Sequence, residues 1–586
     1  MAVALATLAA SCGGSDATPV PSTVPWVTGL GGSITVGIDR APTGCNPNSA
    51  RGDTWANHFV LEPVLPSAFV TSPGGQSIYD SAVITQAEVQ NLSPQTVVYS
   101  INPKAVWSDG RPIGAPDFIY AWQQQRGGVP VAGQPPDQMA TTLGYRDIQS
   151  VTGSNSGRTV TVVFKTPFAG WQSLFADLLP AHVMAKVGWD PPCTTVDPAI
   201  DLSGGPFMIA KVVAGHEVVL AKNPRWWGES VDLDHLVIRS GTGTRQLTRW
   251  LLRGTAQAVE PSSFDEPFLT VVGSQPDLAS TEQTSSTFLQ LEFSALSPTT
   301  GVPTVRQAVA HAVDRQAMVD AVVGFTDTFI APAASHLYSQ SQDAYPGPTP
   351  PPGQITALPG YTPSTQALGT PSRPYPAKDD DAEVQRLLTE AGFTRPPGSP
   401  TWLQPDGKPF LLRLAVDDGD RWAAAAGVIL AQQLGAAGIG VSVTPDGGAD
   451  ATGRALAAGA VDAALLPLTA TPYPTQATAW YTPLLGPPGT AGSQDWMNYD
   501  DPALNSLLTQ AAQQLNPVQA SPLYAQADQL LWSSMIALPL FAEPTALAWS
   551  NSSSGIGPNP YGPGLLWYPQ TWGIRVPPSS PKVAPH

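Results

Sequence analysis

Charge is what this chain has least of. Asp, Glu, Lys and Arg together make up 12% of its 586 residues, about half of the roughly 25% usual in globular domains. The 45 acidic residues outnumber the 28 basic ones and leave a net charge of -17. That balance repels a phosphate backbone, and no basic run is interleaved with aromatics, so no nucleic-acid partner is expected. Histidine is scarce and scattered, at 58, 182, 216, 235, 311, 336 and 586. His216-Glu217 has no second His one turn later, so neither a metal site nor a cofactor is expected. G-x-S-x-G, H-E-x-x-H, Walker and C-x-x-C patterns are all missing, and with them the recognisable catalytic constellations; the chain does not read as an enzyme. No apolar run approaches the roughly 18 to 20 residues that span a bilayer, so membrane attachment would have to come from the N-terminus.

What is present is a loop-rich but folded chain. Apolar residues reach 42%, and the 63 prolines and 54 glycines lie among segments that keep regular apolar patterning, which at this length implies three or four packed units. Residues Met1 to Ser11 are small and apolar and stop at Cys12, followed by the polar run Gly13 to Asp16. That resembles the end of a bacterial lipoprotein signal, with Cys12 as the lipidated residue and residues 1–26 as signal and tether. Leu8 lies four places before Cys12 rather than three, and a basic leader is missing; the competing reading is an accidental cysteine in a frayed terminus. The other two cysteines, Cys45 and Cys193, could be joined as a disulfide in an exported protein, although sequence supplies no geometry to decide it.

Periodicity places the elements. Gly32 to Asp39 alternates as a first strand, and Val97 to Ile101 and Thr159 to Phe164 share its β-branched, period-two character. Ala115 to Gln125 starts as a helix should, with Pro116 near its first position and Asp117 in its first turn. Val305 to Val322 spaces apolar residues over about five helical turns and predicts one long helix. Asp381 to Ala391 predicts another, closed by Gly392. Phe410 to Val416, Trp422 to Ala437 and Ile439 to Val443 read as a βαβ unit and hence a parallel pair of strands. The last helices are expected at Asp501 to Gln514 and Pro522 to Met535. Tyr345 to Pro376, dense in Pro, Gly, Ser and Thr, is expected to be a long surface excursion.

Val98 to Trp122 reads VYSINPKAVWSDGRPIGAPDFIYAW, and this block resembles the signature of the family 5 extracellular solute-binding proteins, the dipeptide, oligopeptide and nickel-binding group of ABC importers. It is followed in order by FKTP ending at Pro167, LPAH at Leu179 to His182, SGGPF at Ser203 to Phe207, KNPRWWG at Lys222 to Gly228, VRQAVAHAVDR at Val305 to Arg315, LLTEAGF at Leu387 to Phe393, DGKPF at Asp406 to Phe410 and ALPLF at Ala537 to Phe541. Together these cover the chain from about residue 30 to 575. The INP-AVWSDG and NPRWWG wordings are similar to the actinobacterial lipoprotein branch, with its OppA-like importers and LpqW-like envelope proteins.

The resemblance implies an α/β, bilobal, periplasmic-binding-protein-like fold of type II, in its large three-part form, with mixed sheets and a hinge between lobes. Lobe I would be 27–58 with 203–287 and 535–575, its extra subdomain 59–202, lobe II 288–534, and 576–586 a flexible tail. It implies a monomer outside the cytoplasm, anchored to the cell membrane, that hands its solute to an ABC permease.

Most matching residues read as scaffold: Trp107, Asp109 and Gly110 as a turn with a buried ring, Trp226 and Trp227 as a plug beside the Asn223-Pro224 turn, Arg306 and Arg315 as salt-bridged helix residues. The informative stretch is Val461 to Tyr481. In peptide-binding relatives the matching loop carries an Asp that pairs with the ligand's α-amino group, and aligning on Asp462 and Pro474 puts Thr471 at that position. A hydroxyl cannot neutralise an ammonium, and an unpaired buried charge costs about 3 to 5 kcal/mol. Free-amine peptides are therefore disfavoured, and N-blocked or glycosylated amphipathic ligands, stacking on Tyr473 and Trp480, fit better. Cys45 and Asn46, in the loop after the first strand, are expected either to face the same cleft from the other lobe or to form a plain turn. Two functions follow: solute capture by hinge closure for an importer, or a non-transport envelope regulator or scaffold on the same fold, LpqW-like and tied to mannolipid biosynthesis.

Overall fold

The computed structural model describes residues 27–29, 31–127, 139–190, 201–342, 344–346, 380–488, 492–561 and 564–576. The stretch from 347 to 376, Cys12, Cys193 and the tail beyond 576 lie outside the described residues.

Two long antiparallel strands, Leu278–Phe293 and Ala537–Ser550, organise the molecule. They occupy the middle of a ten-stranded mixed sheet whose order is 440–446, 411–417, 463–469, 278–293, 537–550, 258–260, 33–38, 235–240, 217–222, 207–213. Each long strand serves both halves. Thr287 to Phe293 pair with Ala463–Thr469, while Ala548 and Trp549 pair with Ala258 and Val259. Between the two halves the pairing slips: Thr284 faces Pro544, but the next partners are Phe288 and Ala542. Three residues on one strand, Ser285 to Thr287, thus stand against Glu543 alone, a bulge of the kind that bends a strand.

The alternation read from sequence gives strands at Ser33–Ile38, Gln95–Ile101 and Thr159–Phe164, and the helix Ala115–Gln125 has its expected bounds. The βαβ unit forms as Leu411–Asp417, Arg421–Ala436 and Gly440–Asp446, with the two strands parallel. The long helix expected over 305–322 is two helices instead, Pro303–His311 and Arg315–Val322. Asp314 breaks it by capping the second one, its carboxylate accepting from Ala317 N at 2.9 Å.

Three apolar cores form. One surrounds the 288–293 segment and the helices 303–311, 421–436, 502–513 and 517–534; one lies beneath strands 33–38, 217–222 and 235–240 with Phe59 and Trp572; one fills residues 68–202 around Tyr99, Trp107, Phe118 and Phe175. In the third, a four-stranded antiparallel sheet (84–92, 95–101, 159–164, 148–154) covers the helix Ala115–Gln125.

The residues read as scaffold are used that way. Trp107 is fully buried and Gly110 turns the chain at φ +92°, its N–H bonded to Trp107 O at 2.7 Å. Trp226 and Trp227 donate to Glu229 O and Ala82 O. The guanidinium groups of Arg306 and Arg315 reach backbone carbonyls, Arg306 those of Thr300, Gly301 and Ser534, Arg315 those of Ala333 and Pro539. They tie the ends of neighbouring elements together.

Asp462 holds the edge of the first half. Its carboxylate takes Arg413 Nη2 at 2.6 Å and Nε at 3.0 Å, Arg413 N at 2.9 Å and Ser297 Oγ at 2.7 Å. Burial pushes its carboxyl up, but the Arg413 and Ser297 bonds outweigh that and hold it below the usual aspartate value. A depressed native pKa stabilises above the unfolded value and is lost as pH falls through the native one, so this contribution disappears below a pH of about 4. Because Arg413 is half-exposed and water can take over its side, Asp462→Asn is expected to cost about 2 to 3 kcal/mol in urea unfolding at neutral pH, and the cost should shrink as the pH is lowered.

Candidate functional site

The site is built at the seam between the two halves, where the bulge leaves backbone groups to be satisfied by other segments. Ser286 N donates to Pro560 O at 3.2 Å and Ser286 O accepts from Ala470 N at 3.0 Å. Ser285 O takes the hydroxyls of Ser339 at 2.8 Å and Ser341 at 3.2 Å, and Ser341 O in turn accepts from Tyr561 Oη at 2.7 Å. Loops from 339–342, 470–476 and 559–561 therefore converge on three residues of one strand.

The loop after strand Ala463–Thr469 carries three of the residues singled out from sequence. Thr471 is half-buried, with its Oγ1 2.8 Å from Tyr473 O and 2.6 Å from the Gln476 side-chain amide. Its carbonyl accepts from Gln342 Nε2 at 2.6 Å. The hydroxyl is occupied within its own loop. Tyr473 reaches across the seam, its phenol hydrogen-bonded to the Gln172 side chain; burial holds its pKa above the usual tyrosine value, partly offset by a bond to Ser77. Trp480 lies in the core, 4% exposed, edge-on to Phe288 and Tyr481, with its Nε1 donating to Gln494 Oε1 at 3.0 Å. It supports the loop from behind.

The same face of the seam is closed by residues 140–172. Ala169 N donates to Ala512 O at 2.7 Å and Arg146 Nη1 to Leu484 O at 2.5 Å. A Cβ on Gly170 would meet the Thr475 side chain, its Oγ1 at 2.7 Å, so a larger residue there would have to displace that side chain. Gln172, Gln342 and Gln476 were not legible from sequence, because no spacing rule marks a glutamine that will bridge two segments.

Cys45 and Asn46 are not brought to Thr471 by any bond among the described residues. Cys45 is a disulfide cysteine, and its expected mate, Cys193, is outside the described residues. Asn46 is fully buried in a turn, donating to Trp189 O at 2.6 Å and accepting from Asn48 N at 2.9 Å. Those bonds spend its side chain on the turn.

Further along the seam, strand ends from both halves gather acidic groups. Asp39, after strand 33–38, accepts from Ser262 N at 2.9 Å and Ser262 Oγ at 3.1 Å. Asp420 caps the helix 421–436 through Trp422 N at 2.9 Å. Burial raises both carboxyls, and Arg40 opposes the shift in each. Phe264 of one half packs edge-on against Trp422 of the other, ring centroids 5.4 Å apart. Among the described residues no group of His, Cys, Asp and Glu could hold a metal ion, and no helix is long and apolar enough to cross a membrane.

Comparison with known proteins fits this architecture. Residues 84–489 match the model of the bacterial extracellular solute-binding proteins, family 5 middle. The chain is 28% identical over 351 residues to a Mycobacterium tuberculosis protein named as probable monoacyl phosphatidylinositol tetramannoside-binding protein LpqW, covering 58% of this chain and about half (53%) of that one. It is 23% identical over 540 residues to the oligopeptide-binding protein OppA of Mycobacterium bovis, covering 90% and 82%. The solved structure of the periplasmic EDTA-binding protein EppA superposes with a TM-score of 0.80 at 24% identity, covering 95% of this chain and 99% of that one. The fold is therefore α/β and of the type II periplasmic-binding-protein kind.

The contact between Tyr473 and Gln172 gives a test of seam strength. Gln172→Ala removes one bond worth about 1 kcal/mol across it. Single-molecule fluorescence between labels on residues 88 and 428 should show a roughly five-fold rise in the separated population; an unchanged distribution would mean that the seam does not open along this line.

Proposed function

The chain belongs to family 5 of the bacterial extracellular solute-binding proteins, a family of non-enzymatic binders, and from that premise we propose that it captures a peptide-like or amphipathic solute by hinge closure and passes it to an ABC permease. The observation that carries this reading is the pair of strands shared by both halves, whose register slips at Ser285 to Thr287 and again between Leu289 and Gln290, which is the construction a hinge needs: two rigid bodies and a few residues that absorb the rotation. Lobe I then comprises 27–58, 203–287 and 535–575 with 59–202 as its subdomain, and lobe II comprises 288–534, so that on strand 278–293 the bulge lies at the boundary. The protein works as a monomer outside the cytoplasm, held to the membrane by a lipid on Cys12.

Ligand contacts come from Tyr473 and the loop around Thr471. Because the Thr471 hydroxyl is already 2.8 Å from Tyr473 O and 2.6 Å from the Gln476 amide, it offers a ligand's α-ammonium neither charge nor a free lone pair in good geometry. That favours solutes without a free α-amine at this point. A second reading, an envelope regulator or scaffold on the same fold that acts through protein contacts, is favoured by the same missing carboxylate.

Native mass spectrometry of the purified protein separates the two: an importer's binding protein carries a co-purifying solute, a regulator carries none. Unblocked tetrapeptides are expected to bind the native protein weakly, and Thr471→Asp to bind them at least ten-fold more tightly by calorimetry. Micromolar affinity of the native protein for such peptides would defeat the argument from the missing carboxylate.

A further inference from the structure

Glu543 is the residue left facing the bulge. Its neighbours on the strand keep partners, Pro544 with Thr284 and Ala542 with Phe288, but Glu543 has none in the ladder. Alternation along a strand puts Glu543 and Thr545 on one face. On that face both Glu543 Oε1 and Thr545 Oγ1 are sealed from solvent without a hydrogen-bond partner. Acceptors left unmet in the interior cost free energy, and native structures rarely leave such groups without a water or ligand to meet them.

The charges that act on Glu543 come from both halves: Asp420 at the start of helix 421–436 and Arg40 after strand 33–38. Asp39 lies next to Arg40 and is also acted on by it. Three carboxylates thus share one guanidinium. Burial, and then Asp420, push the Glu543 carboxyl well above the usual glutamate value despite Arg40, so its charged form would gain from a cation brought beside it.

Resting on the capture of a solute argued above, we propose that the gap in the ladder at Glu543 is a subsite for a cationic group of the ligand, an ammonium or guanidinium, with Glu543 as its counter-charge and the Thr545 hydroxyl as a second acceptor. The carboxylate that lobe II lacks at Thr471 is supplied instead by the hinge strand, so the ligand's basic group lies at the hinge and its remainder runs toward Tyr473. Binding replaces one cation by another: the Glu543 carboxyl loses its proton to solvent as the ligand's cation arrives, with no covalent bond made or broken. Since the subsite is beside the hinge itself, an ion pair formed there selects the ligand, and closure is left to contacts farther from the pivot.

The test uses the full chain and an equimolar pool of N-acetylated, C-amidated tripeptides whose central residue is Lys, Arg, Gln, Leu, Phe or Glu. By native mass spectrometry the Lys and Arg members should be retained at least ten-fold over the Gln and Leu members. Calorimetry of the best retained peptide in buffers of different ionisation enthalpy should report release of about one proton per peptide at neutral pH. Glu543→Gln, of the same shape, should abolish both the enrichment and the proton release while the melting temperature holds or rises; Thr545→Val should weaken retention several-fold without changing the proton count. Equal retention of uncharged members, or enrichment that survives in Glu543→Gln, overturns the subsite and leaves solute capture standing. A protein that retains no peptide and from which no solute co-purifies fails the earlier reading as well.

Discussion

The break in pairing between two long strands is the constraint on which the rest of this structure depends. A ladder that continued in register from Leu278 to Phe293 would weld the two halves of the sheet into one rigid body. Instead, Ser285 to Thr287 lose their pairing with strand 537–550, and the backbone groups of Ser285 and Ser286 are bonded to Pro560, Ala470 and the hydroxyls of Ser339 and Ser341. Hydroxyl and loop bonds of this sort exchange with water at little net cost, about 1 kcal/mol each, whereas a sheet ladder yields only by losing many at once. The seam can therefore rearrange while both halves stay folded.

Low charge density shapes what that seam can do. A chain with few ions cannot spread its carboxylates over networks of arginines, and several are instead buried where desolvation dominates: Glu62, Glu260 and Glu292 are each pushed up to about 8. Glu260 accepts from Leu565 N at 2.8 Å and Glu292 from Gln290 Nε2 at 2.7 Å, so each has a local bond. Glu543 differs in standing at the hinge, between charges contributed by both halves. Its ionisation is tied to how those halves sit, because burial and Asp420 oppose its charge while Arg40 favours it.

Much of the fold was legible because its signals are local. The alternation of Thr159–Phe164 and the Pro116 and Asp117 start of helix 115–125 are each determined by a few neighbouring residues, and they read true. The long helix over 305–322 did not, since its apolar spacing is unbroken and the cap at Asp314 competes through a side-chain bond that periodicity does not register. At the site the sequence located the loop by its Thr471 but missed what fills it. Gln172 lies 301 residues from Tyr473 and Gln342 lies 129 from Thr471, separations at which no pattern in the chain signals contact. Glu543 is hidden for a different reason: within ALPLFAEPTALAW it looks like one polar residue in an apolar strand, and only the slipped register opposite shows that nothing pairs with it.

A hinge and a binding site are usually separate parts, the ligand joining the lobes at a distance from the residues that bend. In the proposed subsite the two coincide. On that reading the rotation between halves pivots near Ser285 to Thr287, and the lever arm from there to Glu543 is the width of one strand spacing, about 5 Å. A contact so close to the pivot gains little from closure, because small rotation hardly changes its distance, so its contribution to holding the closed state is modest by itself. The Tyr473 and Gln172 contact lies farther out and is sensitive to angle. The two contacts divide the labour accordingly. Charge at the pivot selects the ligand in open and closed states alike, and hydrogen bonds at the rim report whether the halves have met. A solute that satisfied only the rim could close the protein without being chosen, and one that satisfied only the pivot could be chosen without closing it.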